Sequence, residues 1–205
     1  ATVDYRYVSG ASDFARIPGS PIAYWASEAV MEAFDRGTPL GSVAQPRVGL
    51  QTSDNRRFLR LWQEVELGQI GFGMYSREEA KESGCRWFPC HKGGEFRKWY
   101  GNNDYLVEWG NDGALIRNLR NDAGSLLSRP QNMDYYFLPG ITWTSLSSSR
   151  FGVRWSPPGF VFDHAGNSAF PAREEVLYII AFLCSKVVSE LLEMLNPTLN
   201  FQVGN

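Results

Sequence analysis

The chain has 205 residues, of which 43% are hydrophobic and 14% aromatic, and its formal net charge is −2. This length suits one domain with its own core, and the charge by itself gives no sign of a nucleic-acid partner. Three cysteines, an odd number, predict no disulfide framework and favour a reducing cytoplasm. The longest apolar run, 176–188, is interrupted by Ser185 and Lys186 and is too short to cross a bilayer.

The first predicted elements are a helix, a loop and a strand. Residues 21–36 predict a helix, because Pro21 suits its first turn and Gly37 suits its exit. Residues 38–57 are rich in Gly, Pro, Ser, Asp and Asn, and they predict a loop. The apolar residues of 58–65 fit a strand and also one face of a helix, and we favour the strand.

A short helix and two strands are predicted next. Residues 76–79, Ser-Arg-Glu-Glu, form a capping box that opens a short helix. Strands are predicted at 86–89 and 105–109, on either side of the polar loop 91–104. Residues 112–127 predict a helix at their start and an irregular segment toward their end.

The last third of the chain predicts short strands followed by one long helix. Runs separated by Gly and Pro predict strands at 135–138, 141–146, 151–155 and 160–162. The broad apolar face of Glu174–Leu195 predicts a helix about 33 Å long. We therefore expect an α+β fold, with a twisted, mixed but mostly antiparallel sheet and this helix packed on it. A single domain is expected over 1–205, with 1–45 as a helical lead-in.

Catalytic motifs are not recognisable in the sequence. Methyl transfer to an adenine amino group requires a Gly-rich turn for S-adenosylmethionine and an Asn-Pro-Pro-aromatic tetrapeptide beside the flipped base. The turn at 71–73 is too short, and 196–199 has one Pro and no aromatic residue, which favours a helix stop. Zinc binding by 85–91 lacks a second ligand pair, and a hidden nuclease lacks a clear carboxylate–lysine cluster.

The first candidate binding segment is 49–58, which carries amides, hydroxyls and two adjacent arginines. Gln51 and Asn55 offer the groups that pair with an adenine edge, while Arg56, Arg57 and the nearby Arg60 suit guanine or phosphate. The alternative, which residue types alone favour, is a turn capped by Asp and Asn side chains, with arginines that are only solvated.

The second segment, 87–103, is the most distinctive part of the chain. A Gly-Gly pair allows a sharp reversal and close backbone approach. Basic residues alternate there with aromatic ones, a mixture that suits phosphate contact together with stacking or groove insertion. The chemistry-bearing side chains are Lys92, Phe96, Arg97, Lys98, Trp99, Tyr100, Asn102 and Asn103. A hairpin whose aromatic rings pack inward explains the pattern equally well.

The third segment, 141–150 with Arg154, combines hydroxyl groups with arginine. These groups suit phosphate binding. A plain sheet edge followed by a turn is the favoured interpretation of this segment.

The stretches 49–58, 92–102, 140–143 and 196–204 resemble, in order, the large adenine-specific DNA methyltransferases. That family includes PglX-type enzymes of BREX phage-defence systems and related fused restriction-modification proteins. There, the corresponding section follows the catalytic domain and resembles the target-recognition domain of Taq-type methyltransferases and type I specificity subunits. Those domains open on a Gly-x-x-Thr-x-x-Asn-x-x-Phe-like signature, which 49–58 matches, and end on a helix similar to 183–188.

The resemblance implies a DNA-binding target-recognition section of a longer enzyme, with double-stranded DNA and an adjoining methyltransferase domain as partners. Other defence-system proteins are further candidate partners, and no membrane is involved. S-adenosylmethionine belongs to the catalytic domain and no cofactor to this section. The expected DNA-binding residues are Gln51, Asn55, Arg56, Arg57, Lys92, Arg97, Lys98, Trp99, Tyr100, Asn102 and Asn103. The alternative function is a protein-interaction module within a phage-defence complex.

Overall fold

A computed structural model of the chain describes residues 8–147, 150–196, 198 and 200–204. Its strands form two sheets. The first sheet has the order β1–β3–β2–β6, with β1 at Leu59–Leu61, β3 at Tyr105–Glu108, β2 at Trp87–His91 and β6 at Val161–Phe162. The second has the order β5–β4–β7, with β5 at Val153–Ser156, β4 at Gly140–Trp143 and β7 at Ser168–Ala169.

The strand pairings confirm a mixed, mostly antiparallel arrangement. In the first sheet β3 lies antiparallel to both β1 and β2, whereas β6 runs parallel to β2. In the second sheet β4 is central and antiparallel to both neighbours. The helices are α1 at Ala11–Phe14, α2 at Glu28–Arg36, α3 at Leu40–Ala44, α4 at Asn55–Phe58, α5 at Arg77–Glu82, α6 at Gly110–Arg117, α7 at Val176–Leu183 and α8 at Lys186–Leu195.

Each sheet has a separate hydrophobic core. Around the first sheet, large side chains that are almost wholly buried pack together, and they include Phe58, Phe88, Trp109, Tyr136, Phe137 and Phe162. On the second sheet, Ile141 and Val153 pack against Ile179, Ile180 and Leu183 of α7. The apolar face of α7 is thus what the second sheet buries, in agreement with the predicted packing of C-terminal helix on sheet.

The stretch 160–169 joins the two sheets. Its β6 part pairs with β2, and the Asp163 amide donates to the His91 carbonyl at 2.9 Å. Its next residues pair with the second sheet, where the Ser145 amide donates to Ala165 and β7 lies along β4. One short chain segment, two strands separated by a turn, therefore connects the two sheets.

The C-terminal helical region lies where it was predicted, but it is two helices and not one. The helix is interrupted at Cys184 and Ser185, between α7 and α8. There the Ser185 hydroxyl accepts a hydrogen bond from the Val188 amide and acts as the N-cap of α8. Serine competes with the helical backbone in this way wherever a helix can restart. The predicted stop at Pro197 lies outside the described residues.

Three further expectations are corrected. The predicted strand at 135–138 is wrong: the 3-10 turn Met133–Tyr135 occupies its start, and Phe137 has a φ of 71° that no strand accommodates. The predicted loop at 38–57 contains the short helices α3 and α4. The helix predicted from residue 21 begins only at Glu28, which Ser27 precedes in an extended, N-cap conformation.

Replacement of Ser185 tests the break in the C-terminal helix. Because Ser185 is an N-cap, Ser185→Ala is expected to lower the free energy of unfolding by about 1 kcal/mol. Aspartate also caps helices, so Ser185→Asp is expected to leave this free energy unchanged. In an unbroken helix the alanine would instead be slightly stabilising, because alanine has the higher helix propensity. Urea unfolding of the 205-residue chain measures whether the substitution lowers or raises the free energy of unfolding. A more stable alanine variant would contradict the interruption of the helix at Ser185.

Candidate nucleic-acid interface

The first candidate segment is anchored at its start by main-chain hydrogen bonds. The Leu50 amide donates to Phe162 and its carbonyl accepts from His164, so the segment begins beside β6. Gln51 then exchanges two main-chain hydrogen bonds of 2.9 Å with Arg129. The Gln51 side chain stays exposed on this fixed backbone, and its amide is therefore presented to solvent.

Helix α4 presents the two arginines of this segment. The Asp54 carboxylate accepts from the Arg57 amide and caps the helix, as expected for a turn of this composition. The hydroxyl of Thr52, which is buried, donates to the Asn55 side-chain oxygen. Arg56 and Arg57 are both exposed, and the Arg57 guanidinium lies 4.9 Å from the ring centre of Phe58.

Two further arginines that the sequence did not single out as a pair lie over one tryptophan. The guanidinium carbons of Arg60 and Arg86 are 5.5 and 5.6 Å from the ring centre of Trp87. Arg86 also pairs with the Glu108 carboxylate at 3.4 Å. Burial raises the pKa of Glu108, and the positive charges of Arg86 and Arg57 oppose that rise. This arginine cluster needed the β2–β3 register to be recognised.

The second candidate segment, the loop 92–104, connects β2 to β3 and docks on the other sheet. The Trp99 amide donates to the Val153 carbonyl, and the Trp99 carbonyl accepts from the Trp155 amide, both at 2.9 Å. Trp99 adopts a φ of 75° to make this contact. Gly94, with a φ of 137°, makes the preceding reversal that the Gly-Gly pair predicts.

The aromatic rings of this loop face outward. Phe96, Trp99 and Tyr100 are 39%, 55% and 59% exposed, and Trp155 beside them on the edge strand is 41% exposed. The exposed Arg97 lies among them. The inward-packed hairpin that was the alternative at the sequence level therefore does not describe these three rings. Large exposed aromatic groups on a constrained backbone are typical of binding surfaces.

Three other residues of the predicted set hold the loop in place, whereas the fourth, Asn103, has a buried side-chain oxygen with no hydrogen-bond partner among the described residues. The Lys92 ammonium pairs with the buried Asp163 carboxylate at 2.9 Å. The Asn102 side chain donates to the Glu95 carbonyl across the base of the loop at 2.9 Å. The Lys98 ammonium donates to the Cys184 carbonyl at the end of α7. These groups position Arg97, Trp99 and Tyr100.

The two candidate segments start together but diverge. Leu50 and Lys92 both contact the stretch that follows β6. The register pairs Leu59 with Val107, so the arginines of α4 lie toward the Glu108 end of the first sheet. The loop 92–104 leaves and rejoins that sheet at its opposite end. The two basic regions therefore lie toward opposite ends of the first sheet.

The third segment contains β4, which is the central strand of the second sheet, so the favoured interpretation of a sheet edge is wrong. Its arginine, on the edge strand β5, lies inside the protein. Arg154 on β5 is 1% exposed. Next to it, the buried His91 imidazole shares a 2.8 Å hydrogen bond with the Ser156 hydroxyl and stacks on Phe160. Burial, reinforced by the Arg154 charge, lowers the pKa of His91 to about 3. Ser148 and Ser149 of this segment lie outside the described residues.

The short glycine turn considered for a cofactor has a packing role. A side chain at Gly71 would lie 2.3 Å from the Phe88 ring, so the glycine makes room for a core aromatic residue. Among the residues that the structure describes, no group of three His, Cys, Asp or Glu side chains is placed to hold a metal ion. In the same residues no helix has the length and apolar character needed to span a membrane.

Comparison with known proteins gives two close relatives. The chain is 40% identical over 205 residues to the adenine-specific methyltransferase PglX of Lacticaseibacillus casei (strain Zhang). This match covers 98% of the chain but only 17% of the relative. The chain is 38% identical over 198 residues to the adenine-specific methyltransferase BrxX of Escherichia coli O9:H4 (strain HS), covering 95% of the chain and 15% of that protein. No protein-family model matches the chain. The chain is thus homologous, over nearly its whole length, to one section of these methyltransferases, as the resemblance in the sequence indicated.

The buried imidazole at this site predicts a pH dependence of stability. Because the folded state disfavours the protonated His91, the unfolded state binds the extra proton below pH 6.5, and stability falls as the pH drops toward the folded pKa of about 3. One proton corresponds to about 1.4 kcal/mol per pH unit at the steepest. Urea unfolding between pH 6.5 and 5 measures the slope in the chain and in His91→Gln. Equal slopes in the two proteins would contradict a neutral, buried His91.

Proposed function

We propose that this chain is the target-recognition region of an adenine-specific DNA methyltransferase of the BREX or type II-like restriction-modification kind. It binds double-stranded DNA and selects the site that a separate catalytic domain methylates. The premise is homology to one section of PglX and BrxX. The observation that carries the proposal is the loop 92–104, whose rings and Arg97 are exposed on a backbone fixed to both sheets.

The basic residues of both segments provide the contacts to phosphate. Arg56, Arg57 and Arg97 are exposed, and phosphate contacts fix the register and orientation of a protein on the duplex. The net charge of −2 does not oppose this role, because such contacts depend on local charges within about one Debye length. Lys92 and Lys98 already have protein partners, so they support the loop.

The aromatic residues of the loop insert into a groove or stack on bases. Trp99 and Tyr100 are the most exposed of these rings, and apolar wedges of this kind partly unstack a base step and bend the duplex. Bending assists an enzyme that must extrude its target adenine. A flat ring on a fixed main chain performs this task with little loss of conformational entropy on binding.

The amides of the first segment differ in what they offer to a base. Adenine presents one acceptor and one donor in the major groove, so its recognition by an amide requires both an amide N–H and an amide oxygen. The Asn55 oxygen already accepts from Thr52, whereas Gln51 is exposed and retains both groups. Gln51 is therefore the better candidate for direct contact with adenine, and Arg56 or Arg57 for contact with guanine.

The chemical step takes place in the catalytic domain of the proposed full-length enzyme. That domain would hold the flipped adenine and S-adenosylmethionine, which supplies the methyl group. The residues of this chain determine which adenine is presented. They act by binding and orienting the duplex, so they change where methylation occurs and how well DNA binds.

A second surface favours a protein partner. The outward face of α7 exposes Leu177, Tyr178 and Phe182 by 77%, 73% and 45%, and adjacent exposed apolar residues are characteristic of protein contacts. The adjoining methyltransferase domain is the first candidate partner, and another defence-system protein is the second. Under the alternative function, a protein-interaction module, this face would be the main site.

Loss of Arg97 tests the DNA-binding role of the loop. In the full-length enzyme, Arg97→Ala is expected to weaken binding to all duplex sequences and to reduce the slope of log affinity against log salt by about 0.9, the value for one phosphate contact. Arg120→Ala, an exposed arginine elsewhere in the chain, is the matched control and should change neither quantity. Fluorescence anisotropy across a salt series measures both. An unchanged slope in Arg97→Ala removes this residue from the interface.

Loss of Gln51 tests base selection. Gln51→Ala is expected to relax preference at one base pair by about 1–3 kcal/mol, because an amide that pairs with both groups of adenine is removed. Gln63→Ala, an exposed glutamine outside both segments, is the control. Methylation of a library of degenerate sites, followed by sequencing, measures the preference at each position. An identical site profile in both variants would contradict a reading role for Gln51.

A further inference from the structure

Arg154 has hydrogen-bond donors without acceptors in the interior of the protein. The side chain is 1% exposed, and the one hydrogen bond that it makes to the described residues is a long one, 3.4 Å, from Nη1 to the Thr144 hydroxyl. Nε and Nη2 have no partner among the described residues. These two nitrogens form one edge of the guanidinium, the edge that binds two oxygens of a carboxylate or phosphate at once.

No carboxylate of the described residues pairs with this guanidinium. In the part of the chain that the structure describes, no ion pair includes Arg154. The charged group that acts on it most strongly is a second cation, Arg97. His91 nearby is neutral and has its own unpartnered Nδ1. A buried, unpaired cation destabilises a fold, so its presence calls for an anionic ligand.

The cover over this site is the tip of the loop 92–104. The Thr144 hydroxyl, which contacts Arg154, also donates to the Gly94 carbonyl at 3.2 Å. The Arg97 carbonyl lies against Gly152, two residues before Arg154. Residues 94–97 are exposed, and the side-chain hydrogen bonds from Thr144 to Gly94 and from Asn102 to Glu95 must open for them to move aside. The ends of the loop, held by Lys92 and by the main chain of Trp99, stay in place. The covering segment ends at Trp99, whose main chain is hydrogen-bonded to Val153 and Trp155 of β5.

We propose that Arg154, together with Arg97 and Thr144, binds one phosphate group of the DNA backbone when residues 94–97 move aside. Two phosphate oxygens accept from Nε and Nη2 of Arg154, and Thr144 and Arg97 supply further donors. This inference rests on the proposed function for the identity of the occupant. Free inorganic phosphate has the same chemistry and is the other source of such an anion.

The first experiment measures stability with and without phosphate in the 205-residue chain. Arg154→Met removes the charge and keeps a side chain of similar length. Without phosphate it is expected to be at least as stable as the unchanged chain, because an unpaired buried charge has been removed. Phosphate at about tenfold above its Kd should raise the Tm of the unchanged chain by on the order of 3 °C over chloride at equal ionic strength, and this rise should be absent from Arg154→Met.

A purely structural arginine gives the opposite result. Arg154→Met would then be clearly less stable in chloride, and phosphate would have the same effect on both proteins, which overturns the site. Arg154→Lys keeps the positive charge but not the two-pronged edge, so it should lose most of the phosphate response. A full response in Arg154→Lys would also overturn the proposed geometry.

The second experiment identifies the source of the phosphate in the full-length enzyme. Arg154→Met should weaken duplex binding roughly ten- to a hundredfold and reduce the salt slope by about 0.9. If phosphate stabilises the chain through Arg154 but DNA binding is unchanged, the DNA assignment is overturned and the site binds free phosphate. If Arg97→Ala and Gln51→Ala alter DNA recognition while Arg154→Met does not, the proposed function stands and this inference fails.

Discussion

The arrangement of the two sheets depends on the ion pair and the hydrogen bond made by the buried Asp163 carboxylate. One of its oxygens accepts from the Lys92 ammonium and from the Ala165 amide, at 2.9 and 2.8 Å. A buried charge is tolerated only when it is paired and hydrogen-bonded. Those partners come from the end of β2 and from the chain that continues into the second sheet. The same contact that pairs the Asp163 charge therefore ties the end of β2, from which the loop 92–104 departs, to the segment that leads into the second sheet.

The loop 92–104 is held in place by its contacts with Asp163 and with the second sheet. Lys92 holds its beginning, and the main chain of Trp99 docks on the edge of β5. The edge strand of a sheet has free main-chain groups that invite pairing with another segment, and here the loop covers part of that edge. As a result, a segment with several left-handed residues is held without a large core of its own, and its rings remain on the surface.

Short-range patterns in the sequence predicted much of this fold. The α+β class, the strands on either side of 91–104 and the N-cap at Ser76 follow from local rules of alternation and capping, and the structure confirms them. The Glu79 carboxylate accepts from the Tyr75 amide and not from Ser76, so the predicted capping box is only half formed. The break at Ser185 and the failure of the strand at 135–138 were not predictable in the same way. The strand fails because tertiary packing buries Tyr136 and Phe137. The helix is interrupted because Ser185 caps a new helix, although the buried apolar face continues on both sides of it. The candidate site divides similarly: residue types pointed to Arg97 and Trp99, but only burial separates these from Lys92 and Asn102.

The docking of Trp99 through main-chain atoms has a consequence for how such a surface can diversify. Since the amide and carbonyl make the contact to Val153 and Trp155, the indole itself is not needed to keep the loop in place. Its left-handed backbone sets the only local restriction, which favours Asn, Asp or Gly and disfavours β-branched residues. The side chains at positions 96, 99 and 100 can thus be substituted while the main chain of the loop stays fixed. Such substitutions would change what the surface binds without altering either sheet.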